Sequence, residues 1–290
     1  MNQPQKDIPL AHYTHYKIGG VAREVYFPRE SSEVLELLQA LRSNGTNYFV
    51  LGGGSNVLIG DSYWDGAVII TTEMNHFDIH PDKIICGAGL TTSRVAEVAL
   101  EHTKTGLEFL FLLPGSIGGA LAGNARYNYK SISDVLISTL AVHPKRGMKR
   151  FKARDIEFAY KHNPLVQEEW IICELTLEWK DNNPTAIQKR MNDIKQYRIH
   201  NHHFDYPSCG CIFKNDYKKN IQAGRLVDSL GLKGLTVGGA QVAPFHANFI
   251  INTGNATARD VLKLIEQVER TVFEKTGITL EREIRLFGTF

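Results

Sequence analysis

Residues 207–216 read PSCGCIFKND and place two thiols, Cys209 and Cys211, on either side of Gly210. Cysteines at this spacing serve as a metal clip, as a disulfide, or as one reactive thiol beside a bystander. A bridge between residues two apart would be badly strained. A structural zinc site wants a second ligand pair at defined spacing, and Cys86 and Cys173 do not supply one. His200, His202 and His203 are near in sequence, yet without that pair they define no zinc motif, and no metal is expected. Against a reactive thiol stands plain packing around a tight turn, because buried cysteine behaves as a small hydrophobe.

Two glycine-rich runs offer a different chemistry. LGGGSN, 51–56, sets three glycines and two small polar residues between apparent strands. Glycines let the backbone reach positive φ and bring its N–H groups close to an anion. No G-x-G-x-x-G opens a helix here, and no G-K-[ST] is present for a phosphate loop. GLEFLFLLPGSIGGALAGNA, 106–125, turns on Pro114-Gly115 and then offers Gly118-Gly119 and Gly123-Asn124. The two runs suit an extended ligand with phosphates and an apolar ring system. They equally suit a tight turn and a buried hairpin with small-residue packing.

The elements that must hold these residues alternate between α and β. SSEVLELLQALRSNG, 31–45, has a serine cap, an apolar face and a closing glycine, and reads as a helix. YFVLGGGSNVLIGD, 48–61, reads strand, turn, strand, and GAVIITTE and KIICGAG continue the β pattern. A helix opened by Thr91 or Thr92 follows over 90–103, then β structure from about 135 to 180, then a helix over 184–200. Beyond 200 come a short helix in AGRLVDSLG, a strand in ANFIINTG and a long helix over 257–276. In that helix Val261, Leu264, Ile265, Val268 and Val272 share one face. Alternation in TLEREIRLF, 279–287, predicts a strand with Leu280, Ile284 and Leu286 on one face and Glu281, Glu283 and Arg285 on the other.

Composition bounds the partners. The chain has 290 residues, 43% hydrophobic and 22% charged, with a formal net charge of +2, which argues against nucleic acid. MNQPQKDIPL has no apolar core behind a basic start, and 109–123 is too short and too broken to span a bilayer. Four cysteines make no disulfide framework, so we expect a cytoplasmic chain with reduced thiols and no membrane partner.

Eight stretches in order along nearly the whole chain resemble the UDP-N-acetylenolpyruvoylglucosamine reductase family of flavoenzymes. They are THYKIGGVAREVYFP, LGGGSNVLIGD, GLEFLFLLPGSIGGALAGNA, FAYKHN, YPSCGCIFKN, AGRLVDSLGLKG, VGGAQVAPFHANFIINTGNAT and LEREIRLFG. The direct run from FKND toward AGRL is similar to the shorter subclass, which lacks an inserted substrate-covering loop.

The resemblance implies an α+β fold: a two-subdomain FAD-binding α/β module of the vanillyl-alcohol-oxidase type, then a smaller α+β substrate domain. The corresponding boundaries are 1–70 and 71–200 for the subdomains and 201–290 for the substrate domain. It implies non-covalent FAD with Gly52, Gly53, Gly54, Ser55 and Asn56 about its pyrophosphate. Pro114, Gly115, Ser116, Gly118, Gly119 and Asn124 would form a second wall. NADPH would reduce the flavin, and the enolpyruvyl UDP-sugar would then take hydride at the terminal carbon of its double bond. That leaves enolate-like charge beside the substrate carboxylate, which calls for a clamp on the charge and an acid for the neighbouring carbon. The implied acid is Cys211; a thiol of ordinary pKa near ~8.5 is mostly protonated at neutral pH and can donate. Glu283 matches the family's catalytic glutamate.

Three departures stand out. The family's Tyr-Arg pair is Tyr160-Lys161 here, so Lys161 is expected to keep the charge without the planar fork. Arg126 and Tyr127 are bulkier than the small run usual at that place, and His203 stands where proline is common. Tyr160, Asn215, His246 and Arg285 are the remaining candidate substrate contacts, and we expect a monomer acting on a small UDP-sugar. Two other readings are carried alongside: a flavoenzyme of the same architecture oxidising an alcohol or sugar, and a relative that binds without turnover.

Overall fold

The computed structural model describes residues 3–290, which form two compact units. The first gathers the N-terminal residues through Lys6, Glu24–Gly53 and Asp65–Tyr197; the second gathers Asp7–Arg23, Gly54–Trp64 and Arg198–Phe290.

In the first unit, helix α1 (Ser31–Ser43) buries Val34, Leu37, Leu38 and Leu41 against Ala67 and Ile69. Those two lie on strand Trp64–Ile70, which pairs in parallel with Tyr48–Leu51. The expected serine cap of α1 is corrected: Ser31 is already helical, and Glu30 stands before it without a side-chain cap. A five-stranded antiparallel sheet runs in the order Gly147–Lys152, Leu136–His143, Ile171–Glu178, Lys83–Gly87, Phe77–Ile79. Helix α2 (Thr92–Glu101) opens where Thr91 Oγ1 accepts the Arg94 N–H at 3.1 Å and packs Val95, Ala96, Val98 and Ala99 onto that sheet's core.

The run 106–125 is a one-turn 3-10 helix, Glu108–Leu110, followed by helix α3 (Ile117–Ala122), and not a hairpin. Ser116 explains the difference, because its Oγ accepts the Gly119 N–H at 3.3 Å and so starts a helix where a strand would need ladder partners. A short helix α4 (Pro164–Gln167), capped by Asn163, precedes the central strand, and α5 (Pro184–His200) occupies the span read from sequence.

The second unit is built on a four-stranded antiparallel sheet in the order Ser208–Cys211, Phe249–Asn252, Ala240–Val242, Thr236–Val237. Helices α6 (Ala223–Ser229) and α7 (Ala258–Thr276) cover it. The five-residue stripe of α7 is buried with Val242, Ile250 and Cys209. Thr257 and Asp260 form a reciprocal capping box at its start, and Gly277 at φ 69° closes it. Tyr16 is fully buried here, with its Oη donating to the Ile250 carbonyl at 2.7 Å.

The C-terminal strand is shorter than alternation predicts. Only Arg285–Phe287 is strand, in parallel with Val57–Ile59, and Leu286 is 37% exposed although Leu280 and Ile284 are buried. The pairing partner changes along the segment: Arg282 bridges Phe213, whereas Arg285 faces Val57. A bend at Ile284 separates the two and breaks the period of two. Among the described residues no helix is long and apolar enough to cross a membrane.

Candidate active site

The two glycine runs meet in the first unit. A Cβ on Gly53 would lie 2.6 Å from Gly115 Cα and Ser116 N, and one on Gly52 would lie 2.8 Å from Ser116 Oγ. Only bare backbone fits where the loops cross. Gly118 is likewise pressed on Ala88, whereas Gly119 has only Ser116 Oγ nearby, at 3.4 Å. The 2% exposed Ser116 accepts both the Gly53 N–H at 3.2 Å and the Gly119 N–H. A hydroxyl that accepts twice still has its own hydrogen to give, and no protein acceptor takes it among the described residues. A buried O–H donor set in uncharged, glycine-lined backbone fits a phosphate of a dinucleotide, so the residues present suit FAD.

Further along the same unit, Ala159 and His162 exchange backbone hydrogen bonds of 3.3 and 3.1 Å, which puts Tyr160 and Lys161 at the corners of a tight turn. Lys161 is left-handed at φ 54°, in a conformation that favours glycine. Asn124, 5% exposed, donates from Nδ2 to the Ala159 carbonyl at 2.9 Å and accepts the Ser133 N–H at 3.4 Å. Its carboxamide therefore has partners inside the protein on both its donor and its acceptor side.

Gly54, Ser55 and Asn56 continue into the second unit. There the Gly54 carbonyl accepts from His15 N at 2.9 Å, and Asn56 Nδ2 donates to the Glu283 carbonyl at 3.2 Å. The same unit holds the paired thiols. Ser208 faces Ile251 and Cys211 faces Phe249, leaving two residues opposite the single Ile250, so the strand carries a bulge at Cys209-Gly210. Gly210 takes φ 71°, which only glycine adopts freely. In a regular strand residues 209 and 211 would share a face. With the bulge they part: Cys209 packs with Ile250 and the α7 stripe, while Cys211 packs with Phe249 and Phe245 on the opposite side.

Cys209 is 5% exposed and donates to the Val57 carbonyl at 2.9 Å; burial pushes its thiol well up and keeps it protonated. All four cysteines are free thiols, and Cys211 alone is partly exposed. No group of three or more His, Cys, Asp or Glu side chains could hold a metal ion among the described residues.

Beside Cys211, the Ile212 carbonyl accepts the Glu283 N–H at 2.7 Å, and Lys214 N donates to the Glu281 carbonyl at 2.8 Å. The strand of Cys211 is thereby stitched to the segment of Glu283. Arg285 N donates to the Asn56 carbonyl; burial lowers the Arg285 guanidinium, yet the residue stays open to solvent and charged. His246 packs on Phe249 at a tilt of 37°, with ring centroids 4.5 Å apart, and its Nδ1 accepts the Asn248 N–H at 3.2 Å. That bond fixes the neutral tautomer with the proton on Nε2, and burial lowers the imidazole's pKa so that neutrality persists. Asn215 Oδ1 accepts the Ala223 N–H at 3.0 Å at the start of α6.

Three supporting residues escaped the sequence reading. Asn248 holds Phe213 from both sides, Oδ1 accepting its N–H and Nδ2 donating to its carbonyl, each at 2.9 Å. Asn163 donates to the Leu121 carbonyl at 2.9 Å, and Tyr16 reaches Ile250. The two asparagines sit in FAYKHN and FHANF, where nothing in the sequence announces their side-chain roles.

Residues 22–148 match the model of the FAD binding domain, and 202–287 match that of the UDP-N-acetylenolpyruvoylglucosamine reductase C-terminal domain. The chain is thus a flavoprotein, an FAD-binding domain of the PCMH-like type joined to a separate C-terminal domain. UDP-N-acetylenolpyruvoylglucosamine reductases of Borreliella burgdorferi and Borrelia garinii subsp. bavariensis are 38% and 37% identical over 96% of this chain, covering 93% and 92% of their own lengths. The crystal structure of UDP-N-acetylenolpyruvylglucosamine reductase (MurB) from Thermus caldophilus matches with a TM-score of 0.82 and 30% identity, over 99% of each chain. The chain belongs to the UDP-N-acetylenolpyruvoylglucosamine reductase family.

Proposed function

We propose that this protein is the NADPH-dependent reductase that converts UDP-N-acetylglucosamine enolpyruvate to UDP-N-acetylmuramate for peptidoglycan precursor synthesis. Family membership supports the reaction, and one observation in the chain itself carries the site. Cys211 is partly exposed and lies beyond a glycine bulge on the face of the sheet opposite the α7 stripe, against Phe249 and Phe245, stitched through Ile212 to the segment of Glu283.

When bound, FAD supplies a two-electron relay between NADPH and the substrate double bond. Ser116 O–H and the glycine backbone of Gly52, Gly53, Gly115 and Gly119 would hold its pyrophosphate, with Pro114 and Gly118 supporting them, Gly54, Ser55 and Asn56 continuing the run, and Asn124 closing the helix behind them rather than touching the ligand. Lys161 holds the substrate carboxylate and steadies the charge that gathers beside it as hydride arrives. Cys211 Sγ–H delivers the proton to the carbon next to that carboxylate, and Glu283 assists from the segment bonded to Ile212. His246 Nε2–H, Asn215, Arg285 and Tyr160 bind the UDP-sugar by hydrogen bonds and charge. A neutral His246, with Nδ1 accepting from Asn248, has Nε2–H left to donate to the sugar.

We assign residues 1–70 and 71–200 to the flavin-binding subdomains and 201–290 to the substrate domain, and place the enzyme in the cytoplasm as a monomer without nucleic-acid partners. Anaerobic absorbance tests the reading. NADPH should bleach the flavin band, and UDP-N-acetylglucosamine enolpyruvate should restore it in one turnover. Purified protein without flavin, or bleaching that the enolpyruvyl sugar never reverses, would sink it.

A further inference from the structure

Asn124 closes α3 and grips the turn that carries Lys161, and we infer that it is a positioning residue for that lysine. The inference rests on the reading that Lys161 holds the substrate carboxylate.

Asn124 follows Gly123 at the end of α3 and is itself left-handed, at φ 41°, with its N–H returning to the Leu121 carbonyl at 3.1 Å. Glycine and asparagine are the residues that end helices in this way. The backbone requirement alone would therefore be met by glycine. The side chain does something more. Its Nδ2 donates at 2.9 Å to the Ala159 carbonyl, the same oxygen that accepts the His162 N–H to close the Tyr160-Lys161 turn. The other leg of that turn is tied to the same end of the helix, because Asn163 Nδ2 donates to the Leu121 carbonyl at 2.9 Å. Asn163 is 4% exposed, and its Oδ1 accepts the Leu165 N–H at 3.0 Å to start α4.

The opposite end of α3 is the cap by Ser116, which also holds Gly53. Six helical residues rise about 9 Å at 1.5 Å each. The lysine turn is thus registered against the glycine cradle through one short helix, hydrogen-bonded at both ends. Lys161 sits in a left-handed conformation that an isolated lysine would leave, so an external hold on the turn is what keeps it there.

Two substitutions separate this role from helix termination. Asn124→Gly preserves the left-handed close of α3 and removes the bond to Ala159. Asn124→Asp keeps an acceptor for Ser133 N but presents Ala159 with an oxygen that cannot donate when ionised. Both variants should keep full FAD content and bleach with NADPH within about twofold of the parent, while reoxidation by the enolpyruvyl sugar slows about tenfold or more. Affinity for the enolpyruvyl sugar should fall, and affinity for UDP-N-acetylglucosamine, which lacks the carboxylate, should not. In a Lys161→Ala background, Asn124→Gly should cost nothing further, because both act through one group.

Normal reoxidation in Lys161→Ala itself would remove the reading of Lys161 and the inference with it. A slow Lys161→Ala with fast Asn124 variants would overturn the positioning role alone. So would loss of FAD from the Asn124 variants, an undiminished loss in the Lys161→Ala background, or failure of both variants to fold.

Discussion

The Glu283 N–H donates to the Ile212 carbonyl at 2.7 Å, so the glutamate is held one residue from Cys211 by the backbone itself. Side-chain replacements at either position leave that bond in place, which makes them clean tests of chemistry. Cys211→Ala should slow reoxidation of the flavin by the enolpyruvyl sugar about 10²–10⁴-fold, the usual worth of a positioned acid, and Cys211→Ser should retain much of the rate. Bleaching by NADPH should be unaffected in both. Stopped-flow absorbance separates the two half-reactions.

Cys209 is the contrast. Cys209→Ala should leave turnover intact and cost about 1–2 kcal/mol of stability, from the lost bond to Val57 and the void it leaves. Urea midpoints of parent and variant give the difference; a collapse of turnover in folded Cys209→Ala would reverse the assignment of the two thiols.

Much of this was legible in the sequence, and the failures have physical causes. The α7 stripe followed from its period, because a helix that buries one face must repeat every three or four residues, and the α5 span from the proline at its first turn. The separation of Cys209 from Cys211 was not legible, since a period of two places them together and nothing in SCGC announces a bulge except Gly210 itself. Leu286 was misassigned for a related reason: the partner strand changes at Ile284, and alternation holds only along one ladder. Asn124 belonged to a glycine-rich run and was grouped with it, although its carboxamide turns to Ala159.

Gly53→Ala should be far more damaging than an exposed glycine replacement. The new methyl would meet the backbone of Gly115 and Ser116 at 2.6 Å, where no side chain can swing aside. A loss of about 2–3 kcal/mol, in the range of an overpacked core, is expected together with loss of bound flavin. Thermal unfolding and the flavin-to-protein absorbance ratio report both.

Lys161→Arg should leave turnover similar or raise it, because the guanidinium adds a planar fork matched to a carboxylate. Lys161→Ala should lose about 10²-fold or more in reoxidation, the worth of one charge-stabilising donor. Steady-state rates with varied enolpyruvyl sugar decide it, and a collapse in Lys161→Arg would mean that the carboxylate is held by another residue.

Acid should expose His203. Burial lowers its imidazole to about 4, with Arg198 and His246 adding to the effect, while the unfolded chain titrates near 6.5. Between those values the unfolded state binds the extra proton, so the contribution to stability is whole above about pH 6.5 and drains away as pH falls toward 4. His203→Gln should flatten that part of the melting-temperature profile. A profile that keeps its slope in the variant would assign the loss to another group.

The bulge at Gly210 also decides how the enzyme meets peroxide. A cysteine oxidised to sulfenic acid is rescued quickly when a neighbouring thiol condenses with it, and slowly otherwise. Cys209 is two residues from Cys211 in the chain but committed to the other face of the sheet, bonded to Val57. It therefore cannot act as a resolving thiol for its neighbour. One left-handed glycine thus keeps two thiols that are neighbours in the chain on separate faces, where a sulfenic acid on Cys211 would find no partner in Cys209.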